Sequence, residues 1–172
     1  RDATGEETLL TGAQCYLITL ATSTQLQTRT VIPSVGASET ETESIVFTGT
    51  TGSVQSEALV IDMRSATGAT LQLNNIEFAS IIGETTVTGG EGSNFVVGDD
   101  MNQYISLGAE DDTIYGGDGY DTVGSGSGSD YLYGDAGNDS VFGGDDADVV
   151  YGGTDQDSAF GNVGADIVFG NQ

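Results

Sequence analysis

The sequence predicts an all-β protein whose C-terminal half is a β-solenoid, a stack of very short strands joined by tight turns. Two observations predict this fold. The chain of 172 residues contains 27 glycines but a single proline, and positions 89 to 169 divide into consecutive nine-residue blocks without an insertion. Each block places one apolar residue at the same position among glycines and polar residues. Such a unit buries little alone, so the blocks must stack on their neighbours.

Two positions of the block carry the pattern. The eighth position is always apolar and is predicted to face the core; it holds Val96, Ile105, Ile114, Val123, Leu132, Val141, Val150, Ala159 and Val168. The sixth position is acidic in the last seven blocks; it holds Asp112, Asp121, Asp130, Asp139, Asp148, Asp157 and Asp166. Glycines at positions one, two and four allow positive φ and let backbone carbonyls converge. Ca²⁺ binds mixtures of carboxylate and carbonyl oxygens, so these turns predict calcium sites.

Composition excludes several classes of function. The formal net charge is −24, and the positive side chains are Arg1, Arg29 and Arg64, so nucleic acids and anionic membrane surfaces should repel the protein. The sequence has no His, which excludes Ser/His/Asp triads and HExxH zinc proteases. Cys15 is the only cysteine, so no disulfide can form within the chain. No apolar run approaches the ~20 residues that span a bilayer, so no transmembrane segment is expected.

The repeat resembles that of the repeat-in-toxin (RTX) family of bacterial secreted proteins, GGxGxDx(apolar)x, and the block GGDGYDTVG at 116–124 matches it closely. The resemblance implies a right-handed parallel β-roll in which two blocks make one coil and calcium lies between turns on both edges. It also implies secretion, and it assigns the seven Asp residues of the sixth position as metal ligands. An Asp should then share its ion with the Asp eighteen residues on, which gives about five fully acidic Ca²⁺ sites. Asn94 and Gln103, which hold the sixth position in the first two blocks, should form weaker sites or none.

Three segments are expected along the chain. Residues 1–43 comprise a β-prone segment and a linker, residues 44–88 an irregular β region that caps the solenoid, and residues 89–172 the calcium-binding β-roll. The strand-rich runs LLTGAQCYLITLA and QTRTVI lie in the first segment. The runs after position 44 are interpreted as irregular solenoid coils, with a small β-sandwich as the alternative.

The predicted function is that of an extracellular, calcium-binding structural protein, a self-assembling subunit of a bacterial surface layer, sheath or fibril. Its N-terminal strands could dock on a neighbouring subunit, and its surface could contact cell-surface glycans or other surface proteins. The alternative is a calcium-binding module of a larger exported enzyme or adhesin. A third interpretation, an enzyme that uses Asp pairs on polysaccharides, is disfavoured because the metal already accounts for those Asp residues.

Overall fold

The computed structural model describes residues 25–33, 44–49 and 55–171, and the described residues contain strands, turns and no helix. The strands in chain order are β1 (Gln25–Val31), β2 (Ser44–Thr48), β3 (Gln55–Asp62), β4 (Thr70–Asn74), β5 (Phe78–Ile82), β6 (Thr85–Gly89), β7 (Phe95–Val97), β8 (Gln103–Ser106), β9 (Thr113–Gly119), β10 (Thr122–Gly124), β11 (Tyr131–Gly137), β12 (Ser140–Asp145), β13 (Val149–Thr154), β14 (Ser158–Val163) and β15 (Ile167–Asn171).

The strands form two parallel sheets. Odd-numbered strands make an eight-stranded sheet from β1 to β15, and even-numbered strands make a seven-stranded sheet from β2 to β14. Each coil therefore contributes one strand to each sheet. In the repeat, Thr113 pairs with Tyr131 and Tyr131 with Val149, so one coil spans two nine-residue blocks. This confirms the predicted all-β, parallel β-roll.

The N-terminal half belongs to the same two sheets. Strand β2 pairs with β4 and β3 with β5, both in parallel, which is the pairing of solenoid coils rather than of a β-sandwich. The coils are irregular, because Ser44 pairs with Thr70 whereas Thr70 pairs with Thr86. The predicted QTRTVI strand corresponds to β1, which pairs with β3. The run at 9–21, Cys15 and most of the expected linker lie outside the described residues.

The main core is a column of apolar side chains between the sheets, and a smaller cluster is formed by Ala58, Phe78 and Val97. The eighth-position residues are fully buried in the first seven blocks; these are Val96, Ile105, Ile114, Val123, Leu132, Val141 and Val150. They join Ile61, Leu71 and Ile81 of the irregular coils in one cluster. Burial of each such side chain contributes about 1.5–3 kcal/mol. At the C-terminal end Ala159 is partly buried and Val168 is 43% exposed.

Aromatic rings stack along the outer side of the eight-stranded sheet. This aromatic ladder consists of Phe78, Phe95, Tyr115, Tyr133, Tyr151 and Phe169. Its closest ring centroids are 4.4 Å apart, between Tyr115 and Tyr133. Phe142 and Phe160 stack in the same way on the other sheet, at 5.3 Å. Each stacked pair contributes about 0.5–1.5 kcal/mol beyond its buried area, so the ladder stiffens the roll along its axis.

Candidate calcium sites

Many of the turns use left-handed backbone at position two, position four or both. Gly117 and Gly119 have φ values of 108° and 134°, which side chains with a Cβ rarely adopt. Where Asp replaces such a glycine, as in Asp135 and Asp146, φ is still positive, at 75° and 78°. Asp tolerates this conformation because its short polar side chain bonds locally. Glu110, Asp155 and Asn162 also replace such glycines with positive φ, whereas Asp99 and Met101, in the block at 98–106, do not adopt it.

The predicted ligands lie in two columns, one on each edge of the roll. The first column comprises Asn94, Asp112, Asp130, Asp148 and Asp166. The second column comprises Gln103, Asp121, Asp139 and Asp157. Within each column, the backbone N–H of one residue donates to Oδ1 of the Asp eighteen residues on, at distances such as 2.7 Å for Asp112 to Asp130 and 2.8 Å for Asp121 to Asp139. All seven predicted Asp residues thus stack in the register that sequence spacing predicted.

The second carboxylate oxygen of most of these residues has no partner. Among the described residues, Oδ2 is buried and unpartnered in Asp112, Asp121, Asp130, Asp139, Asp148 and Asp157. A buried ionised carboxylate is costly unless a cation or a proton compensates it. Each column therefore presents a row of oxygen atoms that require positive charge.

Burial changes the ionisation of these carboxyl groups. Desolvation raises the pKa of Asp112 and of Asp121 to about 7, against the favourable hydrogen bonds that each accepts from a backbone N–H. Desolvation also raises the pKa of Asp139 to about 6, and the nearby carboxylates of Asp157, Asp135 and Asp155 add to the effect. Without a metal ion, the folded turns therefore tend to hold protons close to neutral pH.

Backbone carbonyls complete the arrangement. A Cβ built on Gly116 would lie 2.7 Å from the carbonyl oxygen of Gly134 and 2.8 Å from Oδ2 of Asp121. The two oxygens thus converge from adjacent coils on one point, which only a glycine at position one leaves open. Among the described residues, no three acidic or thiol side chains lie close enough to hold a metal ion by themselves. Calcium fits such a site, because it accepts carbonyl oxygens beside a few carboxylates.

The two columns differ at position one of the block. The second column has glycine throughout, at Gly98, Gly116, Gly134 and Gly152. In the first column Leu107 and Ser125 take the place of two glycines. Leu107 is buried in the core cluster, and the Ser125 hydroxyl donates to the carbonyl of Gly143. Side-chain atoms therefore occupy space in the first column that is open in the second.

Two acidic residues at position two were not predicted as part of the sites. Asp135 has a buried Oδ2 without a partner, and desolvation raises its pKa to about 6. Asp99 is 6% exposed and accepts hydrogen bonds from the backbone of Gly83 and from Nε2 of Gln103. The signal in the sequence was the departure itself, an Asp where the repeat has glycine.

The family model for the RTX calcium-binding nonapeptide repeat, which comprises four copies of the repeat, matches residues 88–123, 124–159 and 142–172. The matched residues are the coils that contain both columns. No curated protein and no solved structure matches the chain. In the part of the chain that the structure describes, no helix is long and apolar enough to cross a membrane.

Proposed function

We propose, from the premise that this chain belongs to the RTX-type calcium-binding repeat proteins, that calcium controls its folding and that the folded protein is a self-assembling structural subunit outside a bacterial cell. The chain carries a calcium-binding repeat module, and repeats of this type are typical of secreted proteins. The observation that carries the proposal is the pair of columns of buried carboxylates whose Oδ2 atoms lack partners.

Calcium, when bound, supplies the positive charge that these carboxylates lack. The chain's own residues do the rest: Oδ1 of each Asp accepts a backbone N–H of the preceding coil, Oδ2 remains available to the ion, and carbonyls of the glycine turns approach it from the next coil. Since ion binding and coil stacking use the same atoms, folding and calcium binding are coupled. At cytosolic calcium concentrations the roll should be largely unfolded, and at the millimolar concentrations outside cells it should fold.

Self-assembly is proposed because β1 and β15 are the outermost strands of the eight-stranded sheet in the part of the chain that the structure describes. Strand β15 exposes Ile167, Val168 and Phe169 by 43% to 54%, and β1 occupies the opposite edge of the same sheet. Open strand edges pair with other chains unless they are covered. Contact between β1 of one copy and β15 of the next is head-to-tail, and such contacts generate filaments or rings. Strand β1 pairs with β3 of its own chain, so the proposed contact uses the side of β1 that faces away from β3.

The alternative is a calcium-binding module of a larger exported enzyme or adhesin. The same edge at β15 favours it, since further coils of the same polypeptide could cover Ile167 and Val168. Neither version includes catalysis by this chain, and the absence of His from the sequence supports that part of the proposal. The charge of −24 disfavours nucleic acid as a partner and leaves other copies, surface proteins or glycans.

Electron microscopy combined with light scattering tests the proposal. The protein should be unfolded and monomeric after calcium is chelated, and it should form end-to-end assemblies in millimolar calcium. A wild-type protein that folds with calcium but stays monomeric at high concentration would exclude the subunit and leave the module. Folding that is indifferent to calcium would exclude both.

A further inference from the structure

We infer that the second column begins with an additional calcium site, in which the uncharged side chain of Gln103 is a ligand together with Asp121 and the carbonyl of Gly116. The inference rests on the proposed calcium binding of the roll and extends it to a block that departs from the acidic pattern. Its basis is the environment of one amide group.

Gln103 is buried, with 3% of its surface exposed, and its polar atoms are not all paired. Its backbone N–H donates to Oδ1 of Asp121 at 2.7 Å, and its Nε2 donates to Oδ1 of Asp99 at 2.5 Å. Its Oε1 is buried and has no hydrogen-bond partner. The amide orientation is fixed by the contact with Asp99, since only the NH₂ group can donate there. The unpaired atom is therefore an acceptor, the kind of atom that binds a cation.

The unpaired oxygen lies where the acidic blocks place a carboxylate oxygen. A Cβ built on Gly98 would collide with Oε1 of Gln103 and with the carbonyl oxygen of Gly116. One coil later, a Cβ on Gly116 would meet Oδ2 of Asp121 and the carbonyl of Gly134 in the same way. The amide oxygen and the carboxylate oxygen thus hold equivalent positions beside a position-one glycine. Calcium accepts amide oxygens as well as carboxylates.

The corresponding amide of the first column lacks this arrangement. Asn94 is also buried and also has an unpaired oxygen, Oδ1. However, a Cβ on Gly89 would first meet Cδ2 of Leu107, at 2.9 Å, with Asn94 Oδ1 farther away, at 3.2 Å. Leu107 is 4% exposed and belongs to the apolar core. Hydrocarbon therefore stands where the second column has a carbonyl oxygen, and Asn94 provides a matched control.

Asp99, which lies beside Gln103, explains why position 103 holds an amide rather than a carboxylate. Asp99 accepts its Nε2–H, so a carboxylate at position 103 would face another carboxylate. The amide can donate to Asp99 through nitrogen and bind an ion through oxygen. With one carboxylate fewer than the acidic pairs, this site should bind calcium more weakly than they do, because ligand charge tunes affinity.

Native mass spectrometry of the full chain in calcium tests the inference by counting bound ions. Gln103→Leu should bind one ion fewer than the wild type, whereas Asn94→Leu should bind the same number. An unchanged count in Gln103→Leu, or an equal loss in Asn94→Leu, would overturn the inference.

Gln103→Glu covers the case in which the Leu variant does not fold. It should keep the wild-type count and should be as stable as the wild type in millimolar calcium, because an ion bound between the two carboxylates offsets their repulsion. Marked destabilisation of this variant in calcium would overturn the inference, because a carboxylate beside Asp99 without an ion only adds repulsion. A wild-type chain that binds no calcium would instead refute the proposed function itself.

Discussion

Acid should fold the metal-free repeat. In the folded chain the pKa of Asp112 and of Asp121 is raised from 3.8 to about 7 by burial. A carboxyl group whose folded pKa is raised stabilises the fold fully below its unfolded pKa, and this stability is lost as pH rises through the folded pKa. Without calcium, the roll should therefore be more stable at about pH 5.5, which lies between the unfolded and folded pKa values, than at about pH 7.5, which lies just above the folded pKa.

The free energy lost when these two carboxyl groups ionise is large compared with the total stability of a domain. A displacement of about three pKa units corresponds to about 4 kcal/mol for each carboxyl group, hence about 8 kcal/mol for the pair over the whole range between the unfolded and folded pKa values. About half of this, or about 4 kcal/mol, is lost between about pH 5.5 and about pH 7.5. Domains of this size are stable by about 5–15 kcal/mol in total. Ionisation of Asp112 and Asp121 alone thus removes a large share of the stability of the metal-free fold near neutral pH. Calcium should restore it, because the ion replaces the lost protons.

Circular dichroism of metal-free protein across this pH range measures the effect. The β signal should be weak at pH 7.5, should increase on acidification to about pH 5.5, and should be fully recovered at pH 7.5 by calcium. The double variant Asp112→Asn with Asp121→Asn is the control; it should keep more β structure at pH 7.5 without calcium and depend less on pH. Equal β content of the metal-free wild type at both pH values would refute the reasoning, as would greater stability at the higher pH.

Three further outcomes are expected. Asp139→Ala should lower the calcium count by about two ions and Asp157→Ala by about one, because Asp139 lies between two coils of its column; equal losses in a calorimetric titration would contradict the column arrangement. Gly134→Ala should destabilise the calcium-loaded fold by about 3 kcal/mol or more, because its new methyl group would collide with the carbonyl oxygen of Gly152 and with Oδ2 of Asp139. Gly124→Ala is the control, since its methyl group would meet only ordinary contacts at 3.8 Å, and it should change the stability by about 0.5 kcal/mol or less. Thermal unfolding in calcium compares the two variants. Deletion of residues 1–32 should abolish end-to-end assembly seen by electron microscopy with no change in the calcium count, and filaments of normal length would rule out that contact.

The repeat could be predicted because its information is local. Val123 at the eighth position and Asp121 at the sixth recur every nine residues, so spacing alone predicts which side chain enters the core and which stacks at the edge. The same reasoning predicts that Asp135 and Asp146 keep the left-handed turn. These features are present in the structure because each coil repeats the contacts of the one before.

What could not be predicted depends on contacts between residues far apart in sequence. The coils from β2 to β6 have no constant period, so the partner of Thr70 could not be read from spacing. Gln103 resembled a weakened ligand, and its unpaired oxygen becomes visible only when Asp99 fixes the amide. The difference between the columns likewise depends on where the Leu107 side chain packs.

The register of eighteen residues also limits how such a chain can change in length. An insertion or deletion of a whole coil leaves every later residue on its own sheet, so that Tyr115 and Tyr151, for example, would still belong to one ladder. A change of nine residues moves every later strand to the opposite sheet. Asp at the sixth position would tolerate that exchange, since both edges use it. The aromatic rings, however, would be divided between the two sheets. Leu107 and Ser125 would also be placed in the same column as the position-one glycines of the second column. Viable length variants of this protein should therefore differ by pairs of blocks.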